Sequence, residues 1–384
     1  MGRLHALDAV RAFALLAGVV LHATLSFLPG FGATGWPIAD RSPSVALAVT
    51  FYVIHIFRMT LFFTIAGFFA RLLFHRRGAR AFVTNRALRI ALPFVVGWAV
   101  VIPFMLLAIL WASRAAPPVT IALPPPPPLR VPLTHLWFLY TLLLLYAVTL
   151  GAKAVVGRID KTGAAARVVD VAIDACARWS VLPFVIALPV FGAFLSMDDW
   201  FRWFGIPTPD QSLVPPLAAA VGFTTAFTFG WFLHRQAHLL QIMERGWVPH
   251  LAASIVITLA CLAIAGPSPD FSAGATRFAV SYAFLYALVS WTWTFAIIGL
   301  ALRFFSIESA RMRYVSDASY WIYIMHLPVI FLLQAALITL PWHWGIKFTL
   351  ILAGALPVLF ASYHVMVRRT VIGRVLNGRR PDTA

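Results

Sequence analysis

Apolar segments of about 20 residues, the length an α-helix needs to cross the hydrocarbon core of a bilayer, recur from one end of this chain to the other. Water cannot be the solvent for most of it. Of its 384 residues, 61% are hydrophobic and 11% charged, against about a quarter charged in a soluble domain. The apolar runs between charge clusters and Pro/Gly breaks place helices near 7–28, 45–74, 90–113, 134–156, 180–197, 214–234, 248–266, 278–303, 317–339 and 346–367. The expected fold is all-α, a polytopic transmembrane bundle of about ten helices. No stretch is left for a separate soluble domain, and no internal repeat of a two-halved transporter stands out. Asp8 and Arg11 interrupt the start of the first segment, and no small-residue cleavage site stands out, so it reads as a retained helix and not a signal peptide.

Ten spans put both termini on one side, and the basic residues say which. Arg41, Arg114, Arg130, Arg202 and Arg277 fall in the loops of one side, and Arg11, Arg58, Arg71 and Lys347 within helices. Of 30 Lys and Arg, the other 21 fall on the side of the termini, so both termini are predicted cytoplasmic. Residues 1–368 form the membrane domain and 369–384 a basic cytoplasmic tail. The net charge of +17 and pI near 11.1 follow from this bias, and no nucleic-acid partner is expected. Cys176, in a predicted cytoplasmic loop, and Cys261, in an apolar segment, suggest neither a disulfide framework nor a metal site. On the opposite side, Pro124–Pro128 reads as a stiff polyproline spacer. Asp198, Asp199, Asp210, Trp200 and Trp203 read as interfacial anchoring or a carbohydrate-facing surface.

Ionisable groups at membrane depth cost about 2.5–3.5 kcal/mol each on insertion scales, so each is a candidate for function. In LDAVRAFALLAGVVLHATLSF, Arg11 and His22 are eleven positions apart, which returns to within ~20° of one helix face and separates them by roughly 16 Å along the axis. Arg11 lies near the cytoplasmic boundary and His22 in the outer half. The bland alternatives are that Arg11 snorkels or pairs with Asp8, and that His22 is a packing residue. His55 and Arg58 lie one turn apart in the second segment, and Arg58 is too deep to snorkel easily. Arg86 and Arg89 close a basic loop, FHRRGARAFVTNRALRIALP, that could grip phosphates or simply obey topology. His135 and Trp137 open the fourth segment in HLWFLY. Tyr320, Tyr323 and His326 share a face in SDASYWIYIMHLP, where Pro328 frees a backbone carbonyl; a polar pocket and a kinked packing site both fit. No Asp or Glu falls in mid-membrane, although a proton-coupled transporter usually needs one.

An Arg, ten residues and a His in the first helix resemble the signature of the acyltransferase family 3 membrane proteins. FFTIAGFF, Arg86-x-x-Arg89 before an LP, HLWFLY and SYWIYIMHLP are similar to family segments in the same order, over nearly the whole chain. SYWIYIMHLP and the tail VRRTVIGRVLNGRR look most like the branch of periplasmic glucan succinyltransferases. The resemblance implies a multi-pass protein of a bacterial inner membrane. It would move an acyl group, such as acetyl or succinyl, from a cytoplasmic acyl-CoA-type donor to a hydroxyl of an envelope glycan on the far side. The donor is a co-substrate, and no tightly bound cofactor is implied.

On this reading His22 serves as general base or, alternatively, as a transient acyl carrier. Arg11, Arg86 and Arg89 hold donor phosphates, and Arg58 stabilises the oxyanion or an acyl carboxylate. His135, Trp137, Tyr320, Tyr323 and His326 face substrate. No carboxylate is available to orient His22, so a carbonyl, a tyrosine or an outer-loop aspartate must serve, or none does. Two other readings are a transporter or flippase of a lipid-linked or small amphiphilic molecule, and a non-catalytic partner of envelope enzymes. Oligomeric state is not legible.

Overall fold

The computed structural model describes residues 5–31, 36, 38–115, 131–197, 200–270 and 278–378. Pro124–Pro128, Asp198, Asp199, Arg130, Arg277 and the last six tail residues lie outside these. Among the described residues the chain is helical without strands. The helices are α1 (His5–Thr24), α2 (Val45–Arg86), α3 (Leu92–Ala115), α4 (Trp137–Ile159), α5 (Ala164–Arg178), α6 (Leu182–Leu195), α7 (Leu217–Arg235), α8 (Leu239–Arg245), α9 (Trp247–Ala265), α10 (Ala279–Phe304), α11 (Ala310–Leu337), α12 (Trp344–Ser362) and α13 (Val371–Asn377).

Eight helical runs among the described residues are long and apolar enough to cross a membrane, or nine if the bent pair of α5 and α6 forms one span. The expected ten differs at two places. Where the sequence suggests two spans and a basic loop, one helical run of 71 residues extends from Val45 to Ala115, over 100 Å if it were straight, at about 1.5 Å per residue. It is broken at Gly78, whose φ of 75° and ψ of 176° are non-helical, and it passes through a π-helical turn at Ala87–Ala91. The basic stretch is therefore helix on both sides of one glycine. The second difference is the loop assigned to Cys176, which is helix α5. The Asp160 carboxylate accepts from the N–H groups of Ala164 and Ala165 at 2.9 and 2.8 Å, satisfying donors that a helix start leaves open. The chain then bends by 113° into α6, only 14 residues long.

The first helix is the axis of the bundle. α1 packs against α2, α10, α11 and α12, and 72% of its apolar window is buried, against 17% for the peripheral α9. It is pinned to α11 at three heights. Arg11 Nη2 donates to Ser316 Oγ at 2.8 Å, His22 and His326 bring their rings to 5.1 Å between centroids, and Gln334 Nε2 donates to the carbonyls of His22 and Ala23 at 3.3 and 3.4 Å. Residue numbers rise together along both helices, so α1 and α11 run parallel. The contact of α2 with α7 is made by facing glycines: a Cβ on Gly67 would stand 2.0 Å from the Phe227 carbonyl oxygen, and one on Gly230 would stand 1.8 Å from that of Thr64. Only small residues let backbones approach this closely.

At the far end of the bundle a buried ion pair anchors the first loop. Lys347 Nζ lies 2.7 Å from Asp40 Oδ2, with side-chain exposures of 2% and 5%. Asp40 also donates its N–H to the Ser26 carbonyl at 2.8 Å, tying the pair to the end of α1.

Candidate active site

A cavity of about 550 Å³ opens at the end of the bundle that holds His5 and α13. Its mouth carries Arg11, Arg76, Arg77, Arg86 and Arg89, with Asp8 and Asp317 beside them. Farther in, the wall is apolar, with Leu15, Phe62, Ile65, Phe138, Leu139 and Leu142, and Tyr320 and Tyr323 also face the cavity. One space thus joins a cationic mouth to an apolar bore.

The mouth is built from three elements. Arg11 is held by Ser316 and by Asp8 at 3.2 Å, one turn away, so both the pairing with Asp8 and a place at the cavity hold for this residue. The Arg86 guanidinium lies over Tyr146 and Phe82, at 5.2 and 5.3 Å from the ring centroids, a cation–π arrangement. Arg89 sits inside the π-helical turn, where the extra residue re-aims side chains; such turns are common at functional sites. The Arg89 carbonyl accepts from Tyr320 Oη at 2.6 Å, fixing the turn to α11.

Tyr323 is the hinge between the bore and a cluster of imidazoles. Its Oη donates to the His135 carbonyl at 2.7 Å, and its ring stands edge-on to that of His135 at 5.5 Å. His135 and His326 are 4.8 Å apart between ring centroids, and His22 is the third member. Nδ1 of His326 donates to the Tyr323 carbonyl at 2.7 Å, so a neutral ring carries its lone pair on Nε2, a buried atom without a partner among the described residues. Nε2 of His135 donates to the Ile324 carbonyl at 3.0 Å. That carbonyl is four residues before Pro328, which has no N–H to return to it. The freed carbonyl expected from the sequence is therefore the one that holds His135.

His135 is presented by an unusual backbone. Thr134 has φ of 50°, in the left-handed region, a conformation that costs a β-branched residue of order 1–3 kcal/mol. Hydrogen bonds from the N–H groups of Val131 and Thr134 to the carbonyls of Gln211 and Asp210 hold the segment there.

Arg58 and His55 complete the cluster. Arg58 is 9% exposed, and among the described residues no carboxylate pairs with it; its Nε is buried without a partner. It lies across α1 at Gly18, one turn before His22, where a Cβ would come within 2.6 Å of Nη1. His55 stacks on Phe51 at 5.1 Å and stands edge-on to Phe204 at 6.4 Å. The ionisable groups that act on His22 are His326, Arg58, His135 and His55, all basic, and among the described residues Nδ1 of His22 is buried without a partner.

Of the residues singled out in the sequence, Arg11, Arg86, Arg89, Tyr320 and Tyr323 share the cavity, and His22, Arg58, His135 and His326 share the cluster. Trp137 does not join them: it is buried against Phe223 and Phe63, at 5.3 and 6.2 Å, in the aromatic core between α2 and α7. Sequence reasoning missed Gly18, Ser316 and Gln334. Ser316 and Gln334 extend the polar face of Tyr320, Tyr323 and His326, so helical spacing alone could have found them. Gly18 gives no such signal.

Residues 4–364 match the family model of an Acyltransferase domain. The chain belongs to this family, acyltransferase family 3. Its succession of long apolar helices makes it a multi-pass membrane member of that family. It is similar to the Glucans biosynthesis protein C of Salmonella paratyphi B, Salmonella heidelberg and Salmonella enteritidis, each 30% identical over 148 residues. The similarity covers 38% of this chain and 38% of each relative, so the chain spans well under half the length of the curated relatives it matches. No solved structure is significantly similar to this family 3 acyltransferase.

Proposed function

We propose that this acyltransferase moves an acyl group from a cytoplasmic acyl-CoA-type donor to a hydroxyl of an envelope glycan on the other side of a bacterial inner membrane. The observation that carries the reading is the single cavity that leads from Arg11, Arg86 and Arg89 along an apolar bore to Tyr323, which bonds the His135 backbone. Arginines suit the donor's phosphates, and the bore suits its extended arm. The run along α1 from Arg11 to His22, about 16 Å, matches that arm in length. Splitting the run from Val45 to Ala115 at Gly78 and counting α6 supports a reading of ten spans, which puts both termini on one side, and the bias of Lys and Arg supports the cytoplasmic one.

In the reaction, His22 takes the proton of the acceptor hydroxyl as its oxygen attacks the thioester carbonyl. The buried Arg58 guanidinium faces the developing oxyanion or a carboxylate on the acyl group. The C–S bond breaks as the C–O bond is completed, and the proton held by His22 leaves with the thiolate as a thiol. The acceptor as a glucan is suggested by the name of the relatives. In place of a carboxylate, packing against the ring of His326, 5.1 Å away between centroids, holds the His22 imidazole.

The test is acylation of acceptor glycans, read by mass spectrometry, in membranes with the protein, without it, and with His22→Ala at matched expression. A mass increment that appears only with the unaltered protein supports the reading and names the acyl group. Full acylation by His22→Ala removes His22 from the chemistry, and substrate flux without covalent change would favour transport.

A further inference from the structure

The last described segment occupies a place that the sequence assigns to a basic tail. Helix α13 lies beyond residue 364, where the family match ends. It packs against α11 and against the π-helical turn that carries Arg89. Leu376 and Asn377 line the cavity mouth together with Arg86 and Arg89. Asn377 Nδ2 donates to the Asp317 carbonyl at 2.9 Å, fastening the end of α13 to α11. Gly378 follows with φ of 87° and ψ of 171°, outside the helix. The Arg89 guanidinium rests on its bare Cα: a Cβ would stand 1.9 Å from Nη2 and 2.9 Å from Cζ.

We propose that Asn377 and Gly378 form the floor of the donor site at its phosphate-bearing end, setting the Arg89 guanidinium toward the nucleotide phosphates of the donor. The inference rests on the reading of the cavity as the donor site. Gly378 leaves the space that the guanidinium fills, and Asn377 fixes where that space lies. A planar guanidinium held from below keeps its fork of N–H donors directed at one position, as bidentate phosphate binding requires. A side chain at 378 meets the far end of a flexible arginine and also strains a backbone whose φ of 87° and ψ of 171° only glycine adopts readily; the change is confined to the residue after α13, so the helices persist while the guanidinium no longer meets the phosphate.

Binding of coenzyme A and of pantetheine, which lacks the nucleotide and its phosphates, is measured by calorimetry on the purified full chain and on Gly378→Ala and Asn377→Ala. Removal of one charge-assisted hydrogen bond weakens coenzyme A about tenfold in each variant and leaves pantetheine unchanged, with thermal unfolding midpoints near that of the unaltered protein. Unchanged coenzyme A binding in both variants overturns the proposal, as does equal weakening of both ligands, which marks a structural role. If the unaltered protein binds neither ligand, the donor-site reading itself falls and this inference falls with it.

Discussion

Nε2 of His135 donates to the carbonyl of Ile324 at 3.0 Å, and that acceptor is open because Pro328, one turn on, contributes no N–H. A helix defect in α11 thus fixes the tautomer and orientation of an imidazole on another element. Pro328→Ala should restore the helical bond and take the carbonyl from His135. Stability in detergent is expected to hold or rise, since an interior proline costs a helix about 3 kcal/mol, while kcat for acyl transfer falls several-fold. An unchanged kcat would show that the orientation of His135 does not matter to turnover.

Gly18 gives Arg58 its place one turn from His22. In Gly18→Ala the new Cβ would meet Nη1 at 2.6 Å, so the guanidinium must swing away from the imidazoles. The expectation is a fall in kcat of about a hundredfold, the lower end of the range for loss of one oxyanion-stabilising donor, with donor KM unaltered. A rise in KM without a fall in kcat would place Arg58 in ground-state binding instead.

The cation mouth makes a different prediction. Removing charge with Arg86→Gln or Arg89→Gln should raise the apparent KM for donor about tenfold for each arginine–phosphate hydrogen bond removed and leave kcat and membrane insertion unchanged. Kinetics over a donor series, with accessibility labelling as the insertion control, separates this from a purely topological role, in which donor dependence would not move.

Asp40 and Lys347 form a pair buried at both ends. Breaking it with Lys347→Met alone strands a buried carboxylate and is expected to cost about 3–5 kcal/mol, seen as a lower thermal midpoint in detergent. The double replacement Asp40→Leu with Lys347→Met should recover most of that loss, since an apolar pair of similar volume is often neutral. A double variant as unstable as the single one would mean that the hydrogen bonds of Asp40 to the loop, and not its charge pairing, hold this end together.

The sequence makes legible what periodicity and cost per residue encode. Arg11 and His22 lie on one helix face because eleven residues nearly complete three turns, and Tyr320, Tyr323 and His326 share a face for the same reason. Arg58 reads as buried from depth alone. The rest depends on partners distant in the chain. Nothing local distinguishes Trp137, which turns into the core, from His135 two residues earlier, which turns into the cluster. Gly18 is silent because an absent side chain leaves no pattern. Asp40 reads as a loop acid, and only the fold brings Lys347, 307 positions away, against it. The basic stretch at 75–89 reads as a loop because charge ends an apolar run, yet the helix continues there on both sides of Gly78.

Buried over most of its surface and attached to α11 at Ser316, His326 and Gln334, α1 is a clamped rod with no freedom to shorten, tilt or twist at one end alone. Arg11 and His22 are therefore a gauge with a fixed interval, and the interval is set by a number of peptide units. Inserting a single alanine between them would turn one end by ~100° relative to the other and lengthen the interval by only about 1.5 Å. The molecule should be far more sensitive to the phase of this helix than to its length, so among insertions of one to four residues the fourth, not the first, would do the least harm.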